Sequence, residues 1–126
     1  MKAAPPLAEV TYRFDEDQTF RYADASGDPV PIHLDDAAAQ AVGLPGIIIH
    51  GLCTMAFCGR AVIETLSGGD PTRLTRLAVK FSRPVLPGHE ITIRLYGTGD
   101  GAFGFEALNA EGQAVVKDGR AELRPG

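Results

Sequence analysis

The pattern of apolar residues predicts an α+β domain in which one long helix lies against an antiparallel sheet. Two observations predict it. From Gly51 onward, apolar or small residues (Leu52, Met55, Ala56, Gly59, Val62, Ile63, Leu66) recur at three- and four-residue steps, the period of a helix face. In the second half of the chain the period falls to two, and short turns rich in Gly, Pro and Asn separate the runs. Short turns join neighbouring strands, so the sheet is antiparallel. A helix and a sheet that each bury one face against the other make a layered α+β unit.

Taken in order, residues 8–14 alternate, with Ala8, Val10, Tyr12 and Phe14 on one side and Glu9, Thr11 and Arg13 on the other. That is a half-buried strand. Asp15 through Gln18 reads as a helix start, with Asp15 as cap and Gln18 completing a capping box. Phe20 and Ala23 follow at helical spacing, and Ser26-Gly27-Asp28-Pro29 ends the helix. Pro29 and Pro31 hold the next residues extended. A short helix is expected over residues 36–42, closed by Gly43, and Ile47-Ile48-Ile49 reads as a buried β-like run. The long helix carries Arg60 and Glu64 on its outer side and stops at Ser67-Gly68-Gly69-Asp70-Pro71. Leu77, Val79 and Phe81 then alternate with Arg76, Ala78 and Lys80, and Ile91, Ile93 and Leu95 with Thr92, Arg94 and Tyr96. Two last strands are expected over 102–108 and 113–123.

The 126 residues, 44% of them hydrophobic, suffice for one domain with its own core, spanning 1–126. No run approaches the roughly 20 apolar residues of a membrane span, and the first residues lack the apolar core of a secretory signal. The formal charge of −4 argues against nucleic acid as the main partner. Cys53 and Cys58, five apart in a helix, fall on different faces and read as core hydrophobes in a reducing compartment. A cytoplasmic protein is expected.

Asp28 and His33 stand out because both lie in a proline-stiffened segment between two helices. A carboxylate and an imidazole in reach of one water can act as an acid–base pair; equally, Asp28 could be a turn former and His33 a loop residue bonded to backbone. Gly51 opens the long helix, whose first N–H groups have no partner within it and can stabilise a developing oxyanion. Its smallness alone would also serve a tight entry to the helix. His50, between Ile49 and Gly51, reads as a buried structural histidine, and His89 as solvated surface. His33, Asp35 and Asp36 lie close in sequence, but their spacing fits no strong metal motif, so no metal is expected. Nothing marks Ser26 as an activated nucleophile. Arg73, Arg76, Lys80 and Arg83 cluster around one strand, either as a solvated face or as contacts to the phosphates of a coenzyme A arm.

Ser26-Gly27-Asp28-Pro29-Val30-Pro31-Ile32-His33-Leu34-Asp35, followed by Gly43-Leu44 and Ile49-His50-Gly51-Leu52, resembles the signature of the MaoC-like hydratases. Lys80-Phe81-Ser82-Arg83-Pro84-Val85 and Pro87-Gly88 are similar to the family's later strand and turn. The resemblance implies a hot-dog fold, a sheet wrapped around one central helix, in a homodimer. It implies reversible (R)-specific addition of water to a trans-2-enoyl-CoA, an acyl-CoA of fatty acid metabolism, with no metal or redox cofactor. Asp28 and His33 match the catalytic pair, and Gly51 the glycine whose N–H receives the thioester oxygen. Ser26, Val30, Lys80 and Arg83 are expected to contact substrate. At Val30 the family commonly has Asn. A hot-dog thioesterase and a non-catalytic partner subunit that binds acyl thioesters are the rival readings.

Overall fold

The computed structural model describes residues 5–99 and 101–125. Strands β1 (Ala8–Arg13), β2 (Leu74–Phe81), β3 (Glu90–Gly99), β4 (Ala102–Leu108) and β5 (Ala114–Leu123) form one antiparallel sheet in the order β1-β3-β4-β5-β2. Helices α1 (Gln18–Ser26) and α2 (Asp36–Ala41) precede the long α3 (Gly51–Leu66), so the α+β hot-dog architecture is present as expected.

The core lies between α3 and one face of the sheet. Ile91, Ile93 and Leu95, alternate residues of β3, are fully buried with Phe105, Ala107 and Val116 of the neighbouring strands. From the helix they meet Cys58, Ala61 and Val62, all fully buried. Each Val, Leu, Ile or Phe side chain among them contributes roughly 1.5–3 kcal/mol on leaving water. Gly59 lets the helix approach β2, since a Cβ there would stand 3.2 Å from the Leu77 side chain. At the other edge, Phe57 packs on the rings of Phe14 and Tyr12 at 4.7 and 5.3 Å, and Tyr12 Oη donates to Glu64.

Four expectations are corrected. Leu52 and Ala56 are not on the buried stripe of α3; Leu52 is 66% exposed, and Cys53, Thr54, Cys58 and Ala61 face inward instead. The helix is apolar nearly all round, so periodicity alone leaves its inner face open. Asp15 does not cap α1: the N-cap is Asp17, without a side-chain cap bond, because Arg21 binds both Asp15 and Asp17. On the same helix Phe20 is exposed, and Thr19 and Ala23 are the buried residues. Residues 47–49 form no strand. Ile49 N–H donates to the Val85 carbonyl and Ile48 N–H to Ile32, two isolated ties rather than a ladder.

Candidate active site

The site is assembled from the segment between α1 and α2 and the four residues before α3. Gly27 ends α1 in the left-handed region (φ 73°), and its N–H returns to the Ala23 carbonyl. The chain thus reverses at Asp28, a geometry that glycine adopts without steric cost. Val30 is extended (φ −59°, ψ 130°), and Pro31–His33 close a single 3-10 turn with His33 N–H on the Val30 carbonyl at 3.1 Å. Asp35 caps α2 through Ala37 N–H, and Asp36 accepts from Ile47 N–H at 2.8 Å. Both carboxylates are therefore used in building the loop.

Two histidine bonds lock the two segments together. His33 Nδ1 donates to the Ile48 carbonyl at 2.8 Å, and His50 Nε2 donates to the Asp28 carbonyl at 3.0 Å. The rings stack, centroids 3.8 Å apart and planes 19° from parallel. His33 and His50 are buried, and Asp28 is half-buried. A carboxylate oxygen of Asp28 and one ring nitrogen of each histidine lie within 4.8 Å of one another. Because a carbonyl can only accept, the neutral His33 ring carries its proton on Nδ1 and presents Nε2 as a lone pair. The three residues have the donor types to hold a cation.

His33 opens on an apolar cavity of about 340 Å³. Gly51 and Thr54 of α3 line it with Ile48, Phe81 and Val85, and Arg83 lies on its wall. Gly51 is the first residue of α3, so its N–H has no acceptor within the helix and points from the positive end of the dipole. A Cβ at Gly51 would come within 3.1 Å of the Phe81 ring. His33 and Gly51 thus share the cavity, while Asp28 lies against the two histidines and is not part of the lining. Ser26, Val30 and Lys80 are exposed and line no part of this cavity. Sequence reasoning placed His50 correctly in the interior but missed its contact with the pair, and it missed Thr54, a hydroxyl in an otherwise apolar helical run.

Cys53 and Cys58 are free and buried, and burial pushes their thiols up to about 11 and about 12. Neither supplies a thiolate nucleophile near neutral pH.

Residues 2–117 match the family model described as MaoC like domain. The chain is 35% identical to the 3-hydroxyacyl-thioester dehydratase Y of Mycobacterium tuberculosis over 96% of its length, spanning 43% of that protein. It superposes on a MaoC-like dehydratase from Phytophthora capsici with TM-score 0.93 and 31% identity, covering 98% of this chain and 42% of that one. An R-hydratase from Pseudomonas aeruginosa superposes with TM-score 0.77 and 27% identity, covering 95% and 80%. The chain spans less than half the length of the first two. With the fold, the loop and the family model in agreement over nearly its whole length, the chain belongs to the MaoC-like domain family.

Proposed function

We propose that this chain hydrates a trans-2-enoyl-CoA to the (R)-3-hydroxyacyl-CoA, or runs the reverse dehydration. The observation that carries the reading is the juxtaposition of the Asp28 carboxylate and the His33 imidazole beside an apolar cavity that begins at the N-terminus of α3. A water between Asp28 and His33 Nε2 donates one proton to each and keeps an oxygen lone pair for C3. As the O–C3 bond forms, the double-bond electrons move toward the thioester oxygen, and Asp28 takes a proton from the water. The Gly51 N–H meets the charge building on that oxygen; one such donor contributes about 3–4 kcal/mol in other enzymes. C2 then takes the proton from Asp28, which restores the carboxylate and completes the addition of H and OH. The names of the M. tuberculosis and P. aeruginosa relatives support a thioester substrate and the (R) product. Arg83, on the cavity wall, is the residue we expect to meet a phosphate of the coenzyme A arm, with Lys80, in β2 and outside the cavity lining, as the second cation.

The test is loss of enoyl absorbance with crotonyl-CoA, with chiral analysis of the product. Hydration with (R) product is expected; only (S) product, or thiol release without hydration, overturns the reading. Asp28→Asn and His33→Ala should each lower kcat by about 100-fold or more. The double variant should be little worse than the worse single one, because the two groups act on one water. Near-normal turnover in a folded single variant would remove that residue from the mechanism.

The same reading includes a homodimer. The sheet ends in β1 and β2, and β2 carries Phe81, 49% exposed, beside the cavity. An unpaired edge is covered most simply by its own copy about a two-fold axis. Light scattering should give twice the mass of one chain; a monomer at assay concentration would refute the assembly.

A further inference from the structure

We propose that His50 is a positioning residue, holding the Asp28 backbone and the His33 ring in register through one imidazole. The inference rests on the hydratase reading above and deepens it. His50 is 2% exposed and sits immediately before α3, so the helix fixes its place. Two of its contacts go to the pair: Nε2–H to the Asp28 carbonyl at 3.0 Å, and the ring face to His33 at 3.8 Å. Tyr22 packs on the same ring at 4.7 Å.

The tautomer follows from the acceptor. A carbonyl cannot donate, so the neutral ring carries its proton on Nε2 and leaves Nδ1 as a lone pair. That Nδ1 is buried without a partner. An apolar ring of similar size would fill the space and stack on His33 without burying an unpaired nitrogen, which is a cost to the fold. What histidine supplies beyond packing is the Nε2–H, and its acceptor is the backbone that carries the Asp28 carboxylate. His50 lines no part of the cavity, so its effect should fall on turnover rather than on binding.

The test compares wild type with His50→Phe, His50→Ala and His50→Gln on crotonyl-CoA, with full kcat and KM and a melting curve for each. Phe keeps a stacking ring and loses the donor; Gln keeps an N–H near the Nε2 position and loses the ring. Phe and Ala should lower kcat about 10–100-fold, the scale of a misplaced reacting group, with KM within about two-fold. Gln should recover most of the lost kcat. A folded Phe variant with wild-type kcat, or a Gln variant no faster than Ala, would overturn the proposal. A second measurement does not depend on activity. Ring-nitrogen NMR of the neutral wild-type protein should show Nε2–H on His50 and Nδ1–H on His33. Nδ1–H on His50 would overturn the proposal even if every variant folds poorly. A wild type that hydrates no enoyl thioester defeats the functional reading instead, and leaves the ring assignment to be judged by NMR.

Discussion

Val30 sits between Pro29 and Pro31, with its carbonyl accepting the His33 N–H and its side chain 46% exposed. Its backbone therefore does the work of placing His33, whatever the side chain. An apolar side chain that remains half in water contributes little to the core, so Val30→Asn should change stability by no more than about 0.5 kcal/mol. The kinetics are the informative part. Val30 is two residues from Asp28 and three from His33, and an amide there offers a hydrogen bond that valine lacks. A bond made mainly in the transition state raises kcat; one made equally in ground and transition states lowers only KM. We expect one of these two changes on short-chain enoyl-CoA, with the fold intact by melting. Asn, Ala and Val giving indistinguishable kcat and KM on every chain length would show that the position does not border the reaction.

The elements differ in how far local sequence decides them. The strands carry a period of two and turn residues at both ends, and their bounds follow the expected runs. Their order does not, because β2 and β3, joined by a short Pro- and Gly-containing turn, are not neighbours, β2 pairing with β5 and β3 with β1 and β4. The bounds of α3 were legible from Gly51 and from Ser67-Gly68-Gly69. Its inner face was not, because Cys53, Cys58 and Ala61 compete with Leu52 and Ala56, and only the docked sheet decides between them. Asp28, His33 and Gly51 were legible as a motif, whereas the part played by His50 depends on a contact across 22 residues of chain. Glycine in β5 gives a case where the element itself can be tested. Gly119 pairs with Phe105 of β4, and a Cβ there would lie 2.6 Å from that ring, which is 2% exposed. The preceding Asp118 has φ 52°, so the strand is already irregular at this point. Gly119→Ala should destabilise by about 1–3 kcal/mol through overpacking. Gly104→Ala, where a Cβ meets nothing nearer than 3.8 Å, should stay within about 0.5 kcal/mol. Denaturant melts of the two variants check this, and equal midpoints would refute it.

On the scale of the whole molecule, packing α3 into the sheet buries two thiols and partly buries one phenol, and their protons then report folding. Burial pushes Cys58 from 9.0 to about 12 and Cys53 from 9.0 to about 11. Burial, then the hydrogen bond to Glu64, pushes Tyr12 from 10.0 to about 12. In the unfolded chain these groups ionise at their ordinary values, while the folded protein still holds the protons. Between the two values the folded state binds more protons than the unfolded state, so stability falls as pH rises. Full stability from these groups is thus present below about pH 9, and it declines from there through pH 11 to 12. The melting temperature should drop steadily over that range. Cys53→Ala with Cys58→Ala should melt lower at pH 8, through lost core volume, yet lose less between pH 8 and pH 11, because two of the three linked protons are gone. A native thiol titration offers the complementary reading, since neither cysteine should react with a thiol reagent until the protein unfolds. Parallel pH slopes for wild type and the double variant would show that the cysteines are not the groups whose burial the fold resists giving up to alkali.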